Sequence, residues 1–273
     1  MKVAIIILNW NGKNDTIECL KSLQNIDYKN YEIIIVDNAS SDGSVEEISK
    51  QFPSVNLICN KKNLRFAGGN NIGIKYAIEN AFDSILFLNN DTIVKENFLS
   101  EFVKYFSQNE NIGICGGKIF YYSEPQKIWF AGGKINWFSG LTKHVGIRKM
   151  DCDKFNQIME TDYVSGCCML VKKSVFEKIG LLDENYFIYG EDADFSLRAK
   201  KFGFKLFYIP SSIIWHKVSI SSGGNFSWFK NKNKLKSQLR FIFRYAKFYH
   251  WISIPFIFPI AVVITFLKAK FQK

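Results

Sequence analysis

Residues that break or cross-link structure are scarce in this 273-residue chain. Proline occurs five times and glycine 18 times, so no collagen-like or proline-rich tract is present and nothing in the composition indicates disorder. No segment recurs at a fixed period, which excludes solenoids and propellers, and no low-complexity tract occurs. Of the six cysteines none forms a CxxC pair, and the adjacent Cys167 and Cys168 lack zinc-ligand spacing. Histidine is rarer still, with three residues. No GxGxxG follows the first apolar run, which removes the dinucleotide-binding fingerprint. That run, VAIIIL after one Lys, is too short for a signal peptide and reads as a strand. The thiols are then expected to be reduced, in a cytosolic compartment.

Apolar surface is plentiful. Hydrophobic residues make up 47% of the chain and aromatics 16%, with 26 Phe, enough for a sizeable core. Charge is uneven. The net charge is +11, yet ten Lys or Arg and no Asp or Glu lie between Phe226 and Lys273. The first 225 residues therefore carry only about +1. Such a basic block reads as an interaction segment for an anionic membrane, nucleic acid or an acidic protein.

Val3–Leu8 is a β-branched run of the kind that forms a strand buried on both faces. A helix capped by Asn14 or Asp15 follows, with Ile17, Leu20 and Leu23 as its stripe. Strands are expected at Glu32–Val36, Val55–Cys59, Ile85–Leu88 and Ile112–Ile119. Helices are expected at Ser44–Gln51, Ala67–Ala81 and Glu96–Phe106. This alternation predicts a doubly wound, mostly parallel α/β sheet, with ligands beyond the carboxyl ends of its strands. Tyr121–Lys149 reads as an aromatic, Gly-rich hairpin excursion. Further on, Asp162–Lys172 reads as a strand, Glu191–Phe202 as a helix, and Phe204–Ile209 and Ile213–His216 as two short strands.

Polar clusters punctuate the strand ends. Asn9–Trp10–Asn11 places an aromatic ring beside amides, suited to stacking on a base, or simply to turning the chain. Asp37, in VDNASSDGS, suits the imide N–H of uracil or thymine because a carboxylate only accepts; it equally suits an Asx-turn before Ser44. In NLRFAGGNNIG, Gly68, Gly69 and Asn70 would admit a nucleotide to a helix N-terminus that favours anions, with Arg65 beside it. Lone glycines and a surface Arg are also ordinary. In LFLNNDT, an apolar strand ends on Asn89, Asn90 and Asp91, a setting for a hard cation or for a helix cap. YGEDADFSLRAKKFG crowds Glu191, Asp192 and Asp194 onto one helix start, where acids suit the dipole and Asp194 can pair with Arg198. His216 lies in a strand before a Ser/Gly-rich loop, a structural position or a metal or phosphate one.

The ordered series VDNASSDGS, NLRFAGGNNIG, LFLNND, VSGCCMLVKKSVFEKIGLLDENYFIYGEDADFSLRAKKFG and WHKVSIS resembles glycosyltransferase family 2, and within it the rhamnosyltransferase-like branch. The resemblance spans roughly residues 3–222 and implies a GT-A (Rossmann-like) catalytic domain over 1–225, followed by a basic, hydrophobic, membrane-associated helical tail over 226–273. It implies nucleotide-sugar contacts from Asn9, Trp10, Asp37, Arg65, Gly69, Asn70, Asn90 and Asp91. Asp91 and His216 would bind a divalent metal, Mg²⁺ or Mn²⁺. Asp192 would be the catalytic base, with Glu191 beside it and Asp194 in support. Two positions depart from the pattern. Asn89 replaces the first Asp of the DxD-like element, leaving fewer carboxylates, and Arg65 stands where the branch usually has Gly.

The implied activity is inverting transfer of rhamnose or a similar sugar from a dTDP- or UDP-sugar to a hydroxyl of a glycan or lipid-linked acceptor, on the cytoplasmic face of the cell membrane. The acceptor surface is expected around Tyr121–Val145 and Val164–Tyr189. In the tail, Ile252–Leu267 is free of charge for sixteen residues, borderline for a span of ~20 and open to an interfacial helix as well. The rival readings are an inactive or scaffold GT-A-like protein that binds nucleic acid or membrane through its basic tail, and a sugar nucleotidyltransferase. The second needs a Gly-, Arg- and Lys-bearing loop after the first strand, where NWNGKND stands.

Overall fold

The computed structural model describes residues 1–109, 111–187, 189–218 and 228–271, the side chains of 228–231 and 265–271 excepted. The first apolar run forms β1 (Val3–Asn9), buried at nearly every position. It pairs in parallel with β2 (Tyr31–Asp37) on one side and β4 (Ser84–Asn89) on the other, while β3 (Asn56–Cys59) extends the sheet beyond β2. Helices α1 (Lys13–Leu23), α2 (Ser44–Gln51) and α3 (Arg65–Glu79) make the crossovers. The order β3-β2-β1-β4 reverses direction between β1 and β4, and open α/β sheets bind ligands at such a switch point. Asn9 pairs in register with Asp37, and Leu8 with Asn89, so three polar strand ends meet there.

Beyond β4 the sheet is mixed rather than mostly parallel. A short β5 (Thr92–Val94) and helix α4 (Phe98–Gln108) lead into β6 (Ile112–Tyr121). The chain leaves the carboxyl end of β6 through β7 (Ile128–Phe130) and the hairpin of β8 (Gly133–Asn136) and β9 (Leu141–His144), runs along the first half of the outer strand as β10 (Met159–Glu160), and is back at the carboxyl end by Cys167, whose carbonyl accepts the Asn89 N–H. It re-enters from that end as β11 (Cys168–Lys172), which therefore runs antiparallel between β4 and β6. The expected strand at Asp162–Lys172 is thus realised only in its second half. Thr161 and Tyr163 instead hold the hairpin: the Thr161 hydroxyl bonds Gly133 at both its N–H and its carbonyl.

Helices α5 (Lys173–Ile179) and α6 (Glu191–Lys201) bring the chain to β12 (Lys205–His216), parallel to β6. Two short strands expected here are one, with a register shift between Ile209 and Ile213, where Pro210 has no N–H to give. The far end of β12 pairs with β5, setting His216 opposite Thr92. The cap of α1 also differs from expectation. The helix starts at Lys13 after Gly12, and the Lys13 N–H is held by the Asp42 carboxylate at 3.0 Å, so a neighbouring loop caps it. All six cysteines are free thiols.

The tail continues the fold. α7 (Trp228–Tyr245) inserts Phe241 and Tyr245 into the main core. A 3₁₀ turn at Phe248–Ile252 leads to α8 (Ile254–Phe271), whose Ile254 and Phe258 pack with Ile242 and Leu141. The expected boundary at 225/226 and the Ser/Gly-rich stretch 219–224 lie outside the described residues. Among the described residues no helix is long and apolar enough to cross a membrane.

The contact between α6 and α7 is polar at its centre. Asp194 is fully buried. Its carboxylate accepts from Arg198 Nε at 2.9 Å and from the hydroxyls of Tyr245 at 2.7 Å and Tyr186 at 3.3 Å. Arg244 Nη1 lies 2.9 Å from it and 2.7 Å from Asp183. Removing a buried carboxylate strands its cationic partners, so Asp194→Ala should lose about 3 kcal/mol of unfolding free energy in urea. Tyr245→Phe, which deletes one hydrogen bond, should lose about 1 kcal/mol. A change under about 0.5 kcal/mol for Asp194→Ala, as for an ordinary surface site, would show that this cluster does not fasten the helices.

Candidate active site at the switch point

Asn9 is the hub of the strand ends. It is fully buried, and its amide donates to Asp37 Oδ2 at 2.7 Å and to Ser40 Oγ at 3.2 Å. Its carbonyl oxygen accepts from Thr16 Oγ1 at 2.9 Å and Asn90 Nδ2 at 3.3 Å. Asn9 is therefore tied up inside the protein, and the half-buried Asn90 gives its amide N–H groups to Asn9 and Thr16. Asp37 takes up the Asx-turn geometry as well: its Oδ1 accepts the Ser40 N–H at 2.8 Å. Trp10 projects beyond this network, 47% exposed, beside Asn11 at positive φ. Of the first two clusters it is the side chain that a ligand can reach most directly.

The Gly-rich helix start serves a different purpose from the one its glycines suggest. α3 begins at Arg65, so Gly68 and Gly69 lie inside its first turns. A Cβ on Gly69 would collide with Leu8 and press on Asn38. The close approach made there is by the protein's own β1 and β2 ends, not by an open cradle. Asn70 is buried and donates to the Phe66 carbonyl at 2.9 Å. Arg65, also at positive φ, stacks its guanidinium 3.6 Å from the centroid of Phe187. It thus links the α3 end to the loop before α6, a contact worth about 0.5–1 kcal/mol at an exposed site.

Asp91 and His216 meet because β12 pairs with β5. His216 Nε2 lies 3.1 Å from Asp91 Oδ1, both side chains largely buried. Trp129 stands edge-on to His216 and to His144, with ring centroids 4.7 and 4.5 Å apart. Burial lowers His144 to about 4, so it is neutral near pH 7. Trp129, His144 and Tyr163 were not singled out in the sequence. Trp129 and His144 have as their signal only the aromatic excursion in which they lie, and Tyr163 only its place in the expected strand Asp162–Lys172. A carboxylate beside an imidazole fits part of the shell of a divalent cation, and His216 Nδ1 has no hydrogen-bond partner among the described residues. No group of three or more His, Cys, Asp or Glu placed to hold a metal ion occurs among the described residues. Asp91 and His216 are the two side chains here that could hold such a cation, and further ligands would have to come from elsewhere, such as a phosphate-bearing ligand and water.

The acidic start of α6 closes the site. Tyr189 and Gly190, both at positive φ, turn the chain into the helix. Asp192 accepts the Gly166 N–H at 3.1 Å, and the neighbouring Cys167 carbonyl accepts the Asn89 N–H at 2.9 Å. One loop therefore bridges Asp192 and the Asn89–Asp91 segment. Burial pushes the Cys167 thiol up, and the charges of Asp91 and Asp192 push the same way, as expected for a group lying between them. Desolvation also raises Asp192. Glu191 is buried, and its Oε2 has no partner among the described residues. Asp194 points away, into the α6–α7 cluster, and is structural in its contacts. The structure thus brings together Asn9, Asp37 and Asn90, then Asp91 with His216, and Asp192 with the Gly166 loop.

A family model described as glycosyl transferase family 2 matches residues 4–180, and the chain belongs to that family. The acidic cluster and His216 lie beyond the matched stretch. The chain is 28% identical over 200 residues to the low-salt glycan biosynthesis hexosyltransferase Agl10 of Haloferax volcanii, covering 73% of this chain and 62% of that one. It is 29% identical over 249 residues to the rhamnosyltransferase WbbL of Escherichia coli K12, covering 88% and 92%. The resemblance to the rhamnosyltransferase-like branch therefore holds. Among solved structures, GalNAc-T7 with UDP, GalNAc and Mn²⁺ superposes with a TM-score of 0.70 at 19% identity, over 89% of this chain and 47% of that one. That likeness shows a GT-A-like mixed α/β fold.

Burial first, and then Asp192 and Asp194, raise the Glu191 carboxyl from 4.5 to about 8. The folded state holds a proton that the unfolded chain releases, so this site favours the fold fully below about pH 4.5 and progressively less up to about pH 8. Glu191→Gln cannot ionise. Its thermal midpoint should gain on the wild type as pH is raised through that window. A difference that stays flat across the window would mean that Glu191 ionises in the fold as it does in solution.

Proposed function

We propose that this chain is an inverting glycosyltransferase that moves rhamnose or a similar hexose from a dTDP- or UDP-sugar to a hydroxyl of a glycan or lipid-linked acceptor. The observation that carries the reading is the bridge by which the Gly166–Cys167 loop joins Asp192 to the Asn89–Asp91 segment at the sheet's switch point. Family membership, and the names of the relatives, a hexosyltransferase and a rhamnosyltransferase, support the same class.

In this reading Trp10 stacks on the pyrimidine, and Asp37 accepts its imide N–H with lone pairs not used by Asn9 and Ser40. Asp91 and His216 would hold Mg²⁺ or Mn²⁺, which when bound supplies Lewis-acid neutralisation of the departing diphosphate. The solution of GalNAc-T7 with UDP and Mn²⁺ is in keeping with that assignment. Arg65 and the N-terminus of α3 add positive potential on the diphosphate side. Asp192 takes the proton of the acceptor hydroxyl as that oxygen attacks the anomeric carbon. Its desolvated carboxyl, raised above the ordinary value, is the more basic for it. Glu191, protonated near neutral pH, leaves Asp192 without a second negative charge beside it. One displacement inverts the anomeric centre. The tail would hold the enzyme at the cytoplasmic face of the cell membrane, a position suited to a lipid-linked acceptor.

Nucleotide binding and transfer separate the roles. UDP or dTDP should raise the melting temperature only with Mn²⁺ or Mg²⁺ present, because binding to the native state stabilises it by mass action. GDP and ATP should do less. Asp192→Asn should keep the nucleotide shift and lose transfer by ~10²–10⁴-fold. Full transfer in Asp192→Asn would remove the base assignment, and no shift with any nucleotide in a folded sample would overturn the transferase reading.

A further inference from the structure

Ten basic residues without an acid say little about what the tail touches, because nucleic acid, acidic proteins and lipids all attract them. The folded tail is more specific. The inward side of α7 carries Phe241, Ile242 and Tyr245 into the protein. Its outward side shows two adjoining stripes at helical spacing. One is apolar and exposed, Leu235, Leu239 and Phe243, with Phe243 71% exposed. The other is basic and exposed, Lys232 and Lys236, ending at Arg240.

The apolar stripe does not stop with the helix. Phe248 and Ile252 in the following turn are 87% and 74% exposed, and Phe256 and Ile260 on α8 are 73% and 61% exposed. α8 cannot turn these inward, because Ile254 and Phe258 already occupy its contact with Ile242 and Leu141. Soluble surfaces carry single apolar residues, but a contiguous band of large ones marks an interaction site. Lysine flanking such a band is the pattern of a helix lying in a lipid interface.

We infer that the outer face of α7, the 248–252 turn and α8 form one continuous surface that docks along an anionic lipid bilayer, with the rings and branched chains in the acyl boundary and Lys232 and Lys236 at the headgroups. Charge complementarity selects the anionic lipid, and the aliphatic band disfavours nucleic acid, which offers no apolar phase to cover Leu239, Ile252 or Ile260. This deepens the reading of the tail as membrane-attached and rests on it. The inner face of α7 then gains a meaning. Together with Thr142, Tyr189 and Gly190 it lines a small cleft at the start of α6, so the bilayer surface and the catalytic helix lie on opposite sides of one helix. An acceptor anchored in lipid would approach along α7.

Flotation of the full chain with phosphatidylglycerol-containing and with pure phosphatidylcholine vesicles tests this. The wild type should float with the first, weakly with the second, and less at high salt. Leu239→Glu/Phe243→Glu and, separately, Phe256→Glu/Ile260→Glu should each weaken flotation by at least about tenfold. Lys232→Ala and Lys236→Ala should each weaken it about fivefold, only on anionic vesicles. Each variant should keep the UDP or dTDP thermal shift, which certifies the fold and keeps failure of this surface apart from failure of the transferase reading. Wild-type protein that ignores all vesicles overturns the proposal, as does flotation unchanged in both double variants. So does salt-sensitive RNA binding in place of vesicle binding, or a dimer by light scattering that Phe243→Glu dissociates.

Discussion

A buried amide holds the strand ends of this protein in one place. Asn9 terminates a strand that is apolar to its last residue, and there the backbone must hand over from sheet to loops without leaving polar groups stranded. Its side chain donates to Asp37 and Ser40 at the end of β2 and accepts from Thr16 on α1 and Asn90 beyond β4. Three connections leave the sheet at this point, and one side chain satisfies groups on each. The demand that buried polar atoms be paired fixes the strand ends that Trp10 and Asp91 directly follow.

The chemistry that can follow depends on a second constraint, the path of the chain outside the parallel half. Because the chain is back at the carboxyl end of the sheet by Cys167, β11 enters antiparallel and the Gly166–Cys167 loop sits at the strand ends rather than on the far side. That loop gives an N–H to Asp192 and a carbonyl to Asn89. The same topology ends β12 against β5 and brings His216 to Asp91. Carboxylates so placed are desolvated, and desolvation gives Asp192 its raised basicity and Glu191 its proton. α7 reaches α6 from outside through Asp194, Arg244 and Tyr245, so the basic tail is built into the support of that helix.

The residues that follow helical or strand periodicity declare themselves in the linear chain. Val3–Leu8, Ser44–Gln51 and the Glu191 helix are where their patterns put them, because burial of a whole strand or one helix face is a local property of composition. The motif order was legible too, and with it the family. Other features were not. The meaning of Gly68 and Gly69 depends on Leu8 and Asn38, which press on them from other elements. The cap of α1 comes from Asp42, in a different loop. Pro210 does not end its strand, because a register shift absorbs it.

The sequence by itself determined the alternation of strands and helices, the acidic start of α6, the family, and the segregation of positive charge into the tail, since each is carried by local patterns or by the order and composition of segments along the chain. Only the tertiary structure decided that the sheet is mixed, that Asp91 faces His216, that Trp129, His144 and Tyr163 pack around that pair, that Asp194 serves the α6–α7 contact, and which of the tail's apolar residues face outward. These are pairings between residues far apart in sequence. Strand register, antiparallel re-entry and helix docking set them, and local propensity does not encode those choices.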